Sequence, residues 1–544
     1  MANPELPSPA RQDALPAPHY LTGGIAAGVV LGIFLAILLA GLDGLVVATA
    51  LPTIARSLGA SDGITFVTSA YLIASTVSIP IFSKISDLYS RRNVFLIALA
   101  IFIAGSALAG LSQTLTELIV FRGIQGFGSG AFLPVGIAMV ALLFSPANRA
   151  RLTGVLSGAG GIAIVGGPLM GSYIVGVTTW RWVFYVNLPI GIAAMIVLAV
   201  MLGPLRSETP GRFDAVGAAF LAGWVSALML PLVEIADGAW GWTSPAALGL
   251  LAGAVVLLAA FVVWELRHPD PVVPIRLLGR RVIAATGAIS LVTGIVFTSL
   301  LTLLGLFVGF VLFPTDPSSQ TWIRDVDYFF AVPLILGAVS AGGLLTRFSY
   351  RVVMAPALLL AGICALFLAG VGATTPLWVL AGGFLPVGGL VLPLIPFGFG
   401  SGIGLAGATI AIQNEVPRRE VGAGIGITRF LQSLGGAVGL SLFTVYLTWR
   451  SAQGLPAAPT PANLLSATVA GYSAIFLAMA ILTIAAGLCA LAISGRAVAA
   501  RSDAPGAASG AIGPEAVSPA PTAPGPEPLR TPRAAGSDDG LGGT

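Results

Sequence analysis

The chain alternates between long apolar runs and short segments that hold nearly all of its charges. Each run is close to or above the roughly 20 residues that an α-helix needs to cross a bilayer. The pattern predicts fourteen membrane-spanning helices, numbered here as spans 1 to 14. Their predicted bounds are 24–50, 63–82, 93–112, 116–142, 152–176, 183–203, 213–233, 245–265, 282–312, 328–346, 352–371, 385–412, 421–448 and 471–493. Pro and Gly interrupt the pattern at 372–390.

The composition supports a membrane protein. Of the 544 residues 56% are hydrophobic and only 9% are charged, whereas soluble domains have about 25% charged residues. The net charge is +4, but the basic residues lie between the apolar runs and do not form one basic face. We therefore expect no nucleic-acid partner. The first apolar run is too long for the core of a signal peptide, so we expect it to stay in the protein.

The basic residues also predict the orientation, because cytoplasmic loops collect Lys and Arg. If the N-terminus is cytoplasmic, most of the 26 Lys and Arg residues fall in inside loops, and the outside loops hold only Arg56, Arg181, Arg324 and Arg450. The alternation persists to the end of the chain. We therefore expect a multi-pass protein of the plasma (inner) membrane with both termini cytoplasmic.

Two related loops indicate an internal repeat. "LLFSPANRARLTGVLSGAGGIAIVGG" follows span 4 and "IQNEVPRREVGAGIGITRFLQSLGGAVG" follows span 12. Each has a Pro, then basic residues, then a Gly-rich helix start. Related halves around a central site are typical of secondary transporters. We predict a six-helix bundle at 22–205, two inserted linker helices at 206–275 and a second six-helix bundle at 276–494. The segments 1–21 and 495–544 read as disordered cytoplasmic tails.

Asp43 is the one formally charged residue of the stretch from Leu21 to Pro52. An acid near the bilayer centre costs roughly 2.5–3.5 kcal/mol or more, so Asp43 must be buried inside protein. Removal from water favours the neutral form of a carboxyl group. If its surroundings are alternately dry and wet, Asp43 can take up and release a proton. The alternative is an acid permanently paired with a cation such as Arg122.

Arg122 and Arg429 are the two cations that fall within predicted spans. An arginine inside a span must face a partner or water. For Arg122 the open possibilities are Asp43, a tie to Glu117, or backbone carbonyls. For Arg429 we expect Glu415, one loop earlier, as the partner, and a structural role is the favoured interpretation. The other acids, Glu234 and Glu265 near span ends and Asp316, Asp325 and Asp327 in a predicted outside loop, read as interfacial or solvated.

Five motifs in chain order resemble a known family: "LDGLVVATALP", "TSAYLIASTVSIPIFSKISDLYSRRNVF", "VFRGIQGFGSG", "GIAIVGGPLMG" and "WRWVFYVNLPIG". They are similar to the signatures of the fourteen-helix drug:proton antiporter branch of the major facilitator superfamily. The resemblance covers roughly residues 40–450. It implies an all-α integral membrane protein with two six-helix bundles plus two inserted helices. It also implies proton-coupled multidrug efflux, and hence drug resistance, by alternating access.

The resemblance also implies roles for particular residues. Asp43 and Arg122 would couple proton movement to transport, with Gln125 as their polar neighbour. The loop after span 2 would form a gate through Asp87, Arg91 and Arg92. Asp87 would lie near the positive end of a helix at Gly422, although the family usually has Gly where this chain has Ser83 and Ser90. The antiporter motif of span 5 consists of Gly158, Gly166, Gly167, Pro168 and Gly171.

Two other functions stay open at this point. One is a dedicated exporter of a single metabolite, such as a lipid, siderophore or antibiotic, on the same fold. The other is a non-coupled facilitator or a membrane scaffold. We expect no enzymatic activity, cofactor or metal, because no nucleophile–base pair, metal cluster or phosphate-binding loop is present in the pattern. The expected partners are a small-molecule substrate, protons and the lipid bilayer, and the expected state is a monomer.

Overall fold

The structure, a computed structural model, describes residues 21–59, 63–203, 211–236, 238–308, 311, 319–370, 388–417, 420–453 and 460–493. Fourteen helices in this part of the chain are long and apolar enough to cross a membrane. The predicted fold class, an all-α membrane protein with fourteen spans, is confirmed. Most of the two predicted tails and most of the interrupted segment 372–390 lie outside the described residues.

The helices follow the predicted order. Their bounds are Gly23–Leu58, Phe66–Leu88, Arg91–Leu111, Leu115–Ser129 with Phe132–Leu143, Pro146–Val177, Trp182–Tyr185 with Asn187–Met201, Ala215–Ala236, Pro245–Arg267, Arg281–Phe307, Ser319–Arg347, Tyr350–Gly370, Gly388–Glu415, Val421–Ala452 and Pro461–Leu491. Spans 4 and 6 are therefore each built from two consecutive helices. A short 3₁₀ helix, Ile275–Gly279, follows span 8.

Several helices extend beyond their apolar runs. Span 1 continues to Leu58, span 14 begins at Pro461 and span 10 begins at Ser319. Hydropathy locates the part of a helix that fits the lipid, whereas backbone hydrogen bonding carries the helix on past the interface. The expectation that Asp327 lies in an outside loop is wrong for this reason, since it lies inside the helix of span 10.

Spans 1 to 6 pack against one another, and so do spans 9 to 14. The two groups meet along two seams, formed by spans 2 and 13 and by spans 5 and 10. At the second seam, a Cβ on Gly154 would collide with the backbone of Ala338, and a Cβ on Gly342 would collide with the backbone of Ala150. Glycine lets helices approach this closely. The division into bundles at 22–205 and 276–494 stays a prediction.

The inserted spans 7 and 8 pack against each other, and span 7 also contacts spans 2 and 13. Trp224 of span 7 meets Phe430 of span 13 edge to face, with ring centroids 5.9 Å apart. After span 8 the chain buries Val272 and Val273, and Glu265 accepts a hydrogen bond from the N–H of Val273 at 3.1 Å. The prediction that Glu265 and Glu234 reach the interface is wrong, because both are buried against protein.

Candidate functional site

An ion pair lies at the centre of the first six spans. Asp43 of span 1 accepts a hydrogen bond and ion pair from Nη1 of Arg122 on span 4. Both side chains are buried, with relative exposures of 1% and 0%. A buried charge without its counter-charge is far more costly than the intact pair. Of the partners left open for Arg122, the structure shows Asp43 and one backbone carbonyl, that of Val67, to which Nε donates at 3.3 Å.

The second carboxylate oxygen of Asp43 is held by two side-chain amides. The Nδ2 of Asn187 donates to it at 2.8 Å and the Nε2 of Gln125 at 2.7 Å. Both amides also contact Oγ of Ser106 at 3.1 Å, and Ser106 donates to the carbonyl of Phe184 at 2.9 Å. The ionised carboxylate is an acceptor only, so this set of donors fits the charged form of Asp43.

Tyr71 separates this ion pair from the space between the two halves. Its ring lies against the guanidinium of Arg122, with Cζ 4.1 Å from the ring centroid. Its hydroxyl donates to the carbonyl of Ala40 at 3.2 Å. Tyr71 and Ala40 both line the central cavity described below. A displacement of the Arg122 side chain would therefore change the position of Tyr71 in the cavity wall.

Sequence reasoning found part of this site. The structure brings Asp43, Arg122 and Gln125 together, whereas Glu117 forms a capping box with Thr114 at the start of span 4. The sequence did not predict the remaining members of the site, which are Ser106, Asn187 and Tyr71. Asn187 stands in the quoted motif "WRWVFYVNLPIG" as an uncharged polar residue in an apolar setting, which is a usable signal for an interhelical hydrogen bond.

The glycines of span 5 position the ion pair from another side. A Cβ on Gly166 or Gly167 would contact Leu42 or Leu45, the neighbours of Asp43 on span 1, and Gly171 meets span 1 at Val46 and Thr49. Gly158 instead faces span 10 at Ile335. The helix of span 5 continues through Pro168 without interruption. The motif therefore places span 5 between the ion-pair helix and the opposite half.

A cavity of about 350 Å³ lies between the two halves. This volume falls in the usual range of small-molecule sites. Its wall is mostly apolar and includes Ile37, Phe132, Leu133, Leu156, Phe297, Leu334 and Leu405. Polar groups on the same wall are Ser75, Ser129, Ser157, Thr298, Arg429, Gln432 and Ser433. The wall therefore combines a broad apolar surface with a few polar groups.

Arg429 of span 13 reaches this cavity from the second half. Its Nη1 donates to Oε1 of Gln432 and its Nη2 to Oγ1 of Thr409, both at 2.7 Å. The expected pairing with Glu415 is not what the structure shows. Glu415 lies six residues after Thr409 along span 12, which is about 9 Å at 1.5 Å per residue.

The loop after span 2 lies against the start of span 13. The carboxylate of Asp87 accepts from the N–H of Ala423, and a Cβ on Gly422 would collide with it. Nη2 of Arg91 donates to Asp87 at 2.8 Å, and its Nη1 donates to the carbonyl of Ala138. An acid at a helix N-terminus is stabilised by the helix dipole.

Arg92 does not join this contact, since its Nη2 donates to the carbonyl of Ala199 at 2.7 Å. The other seam is also joined at this end of the molecule. Thr153 donates to Gln413 at 3.0 Å, and Nε of Arg149 donates to Asn414 at 3.0 Å. These are the two loops that the sequence identified as a repeat. Together with the Asp87 contact they seal the end of the molecule that carries the loop between spans 2 and 3.

The opposite end differs among the residues that the structure describes. The buried cluster around Val46, Ala109 and Phe184 contains residues of the first half only, and the cluster around Leu303, Phe307 and Phe476 contains residues of the second half only. Clusters shared by both halves occur toward the sealed end. For the described residues, the two halves therefore meet at one end of the cavity and share no buried cluster at the other.

Comparison with known proteins agrees with this architecture. The family model described as Major Facilitator Superfamily matches residues 33–440. Multidrug transporter protein MdtP of Bacillus subtilis (strain 168) is 30% identical over 432 residues, which are 78% of this chain and 75% of that protein. Multidrug resistance protein 3 of the same organism is 30% identical over 420 residues, which are 76% of this chain and 78% of that protein.

A solved structure shares the fold at lower identity. The human organic anion transporter MFSD10 (TETRAN) aligns with a TM-score of 0.56 and 17% sequence identity, covering 86% of this chain and 98% of that chain. At this identity the likeness shows the fold alone. The sequence matches and this fold indicate a multi-pass membrane transporter of small molecules.

Proposed function

The chain belongs to the Major Facilitator Superfamily, and from that premise we propose that it is a proton-coupled antiporter. It exports hydrophobic or amphipathic small molecules by alternating access between two states. It acts in the plasma (inner) membrane as a monomer with both termini cytoplasmic. The names of its Bacillus relatives support multidrug efflux as the physiological role.

The observation that carries the proposal is the buried pair of Asp43 and Arg122 behind Tyr71. While Asp43 is ionised it neutralises Arg122 and holds the amides of Gln125 and Asn187. A proton on Asp43 removes the attraction to the guanidinium, which then turns toward other acceptors or water. Because Tyr71 stacks on the guanidinium and lines the cavity, this movement changes the site where cargo binds.

The gate provides the second half of the cycle. In the conformation described here Asp87 caps span 13, and spans 5 and 10 cross closely at Gly154 and Gly342. With the loop between spans 2 and 3 on the cytoplasmic side, this state faces outward. Rocking of one half against the other would separate both seams and expose the cavity to the cytoplasm, where cargo enters.

The test uses proteoliposomes with an imposed pH gradient and an internal pH-sensitive dye. For the wild type we expect addition of a lipophilic compound to release protons down their gradient in proportion to cargo uptake. Asp43→Asn should abolish the cargo-dependent proton flux while the protein still binds cargo. Asp214→Asn is the matched control, since Asp214 is also buried but its partners among the described residues, Gly217, Trp264 and His268, all lie within the inserted region.

Three outcomes separate the proposal from the alternatives. Cargo uptake that ignores the pH gradient, with Asp43→Asn equal to wild type, would identify a non-coupled facilitator. Absence of transport of every compound would favour a scaffold. If coupling holds, a deletion strain with a broad rise in drug susceptibility supports multidrug efflux, whereas accumulation of one metabolite without that rise supports a dedicated exporter.

A further inference from the structure

Two arginines are buried among the residues that the structure describes, and only one of them has an acidic partner there. Arg122 is neutralised by Asp43 and shielded from the cavity by Tyr71. Arg429 has a relative exposure of 5% and lines the cavity. No carboxylate of the described residues lies within ion-pair distance of it. In the described part of the chain, the cavity wall thus carries the positive charge of Arg429 without a counter-charge.

The hydrogen bonds of Arg429 are incomplete as well. A guanidinium has five N–H donors, and two find acceptors on Gln432 and Thr409. Its buried Nε has no hydrogen-bond partner within the described part of the chain. Buried charges are normally paired and hydrogen-bonded, because an unsatisfied one is costly. Because Arg429 lines the cavity, the missing negative charge is at the edge of the space where cargo binds.

We infer that the cavity selects amphipathic organic anions, with the cargo supplying the counter-charge that Arg429 lacks. An inference of this kind rests on the proposed transport function, because it assigns a substrate class to the same cavity. The carboxylate or sulfonate of the cargo accepts from the Nη hydrogens of Arg429 that Gln432 and Thr409 leave free, in the geometry that guanidinium groups offer to planar oxyanions. An apolar body lies against Phe132, Phe297 and Leu405.

The same geometry disfavours lipophilic cations. Like charges repel strongly in a poorly hydrated site. Among the described residues, those that line the cavity include no Asp or Glu that would offset Arg429, and Asp43 is paired with Arg122 behind Tyr71. The apolar wall alone would admit neutral compounds of similar size. For ligands that share one apolar body, the charge of the polar group should therefore determine the order of their binding affinities.

The experiment compares three ligands with a naphthalene body: 1-naphthaleneacetate, the neutral 1-naphthaleneacetamide and the cationic 2-(1-naphthyl)ethylammonium. Binding to the purified protein in detergent is measured from the concentration dependence of its thermal stabilisation. We expect the carboxylate to bind about tenfold more tightly than the amide. The ammonium should bind most weakly.

Variants test whether Arg429 is the residue that causes the preference for the carboxylate. Arg429→Gln should bring the carboxylate and amide affinities within about twofold of each other, because it removes the charge and keeps an uncharged polar side chain. Arg429→Lys should restore a preference for the carboxylate. Arg450→Gln is the matched control, because it removes the same charge from the far end of the same helix and should leave the ranking unchanged.

The result that overturns the inference is a wild-type protein that binds the amide or the ammonium as tightly as the carboxylate, or that binds none of the three. A preference that survives in Arg429→Gln also overturns it. The three ligands are then given to the proteoliposomes with the pH-sensitive dye. Carboxylate binding without proton flux refutes the proposed coupling and leaves the anion site standing. Proton flux driven only by the ammonium refutes the anion site and leaves the proposed coupling standing.

Discussion

The crossing of spans 5 and 10 offers a direct test of alternating access through Gly342→Ala. A Cβ at Gly342 would lie 2.6 Å from the carbonyl oxygen of Ala150 and 2.8 Å from Cα of Arg151. Both neighbours are backbone atoms of another helix, so neither can rotate away as a flexible side chain could. The observed conformation, in which this seam is closed, must therefore shift to accept the methyl group.

The expected size of the effect follows from overpacking. Forcing a group into a closed contact costs about 1–3 kcal/mol. A value of about 2 kcal/mol that applies only to the closed state shifts the population toward the open state by roughly thirtyfold. The gain of about 1 kcal/mol in helix propensity from Gly to Ala applies to both states and cancels.

Gly343→Ala provides the control on the next residue, since a Cβ there meets nothing within 4 Å. The assay introduces Thr153→Cys into a chain whose Cys364 and Cys489 are replaced by Ser. Residue 153 is fully buried in the closed seam, so its rate of alkylation by a maleimide reports the open population.

We expect labelling to rise by roughly ten- to thirtyfold with Gly342→Ala. With Gly343→Ala it should stay within about twofold of the parent. Equal rates in the two variants, with equal melting temperatures, would refute the assignment of this crossing as a moving seam.

Three further outcomes are expected for the charged contacts. Asp43→Asn leaves Arg122 buried without a counter-charge and should lower the free energy of unfolding by about 3–5 kcal/mol; thermal denaturation should show part of this loss recovered in Asp43→Asn/Arg122→Gln, and no recovery would contradict the ion pair. Asp87→Asn removes a charge that stabilises the start of span 13 by about 0.3–2 kcal/mol, so maleimide labelling of Cys at 153 should rise about two- to thirtyfold; an unchanged rate would remove Asp87 from the gate. Arg280→Ala breaks a pair with Glu420 in which the arginine is 46% exposed, and pairs of that kind contribute about 0–1 kcal/mol, so neither the melting temperature nor the labelling rate should change measurably.

Hydropathy and charge predicted the number and order of the spans because the bilayer imposes a length and a composition on every helix. The same logic singled out Asp43 and Arg122, since a charge in an apolar run needs a partner. Their meeting is a fact of packing, however, and so are the positions of Ser106 and Asn187 beside them. A lone polar residue in an apolar run does not indicate which way it points.

The partners of Arg429 could not be predicted from the sequence. Proximity along the chain suggested Glu415, but two helices joined by a short loop bring residues together only where their levels along the axis match. Thr409 lies at the level of Arg429, and Glu415 lies nearer the loop. This mismatch leaves the guanidinium without an acid among the described residues, and sequence distance alone does not show it.

The position of span 7 makes the two seams unequal. It covers the junction of spans 2 and 13, whereas apolar residues such as Val155, Ile162, Leu336 and Val339 are exposed along spans 5 and 10. Without spans 7 and 8, the junction of spans 2 and 13 and the junction of spans 5 and 10 would both be open to molecules dissolved in the bilayer. In this chain, span 7 adds a layer of protein over the junction of spans 2 and 13. Compounds that partition into the membrane before capture would therefore enter from a single side, past the glycine crossing of spans 5 and 10.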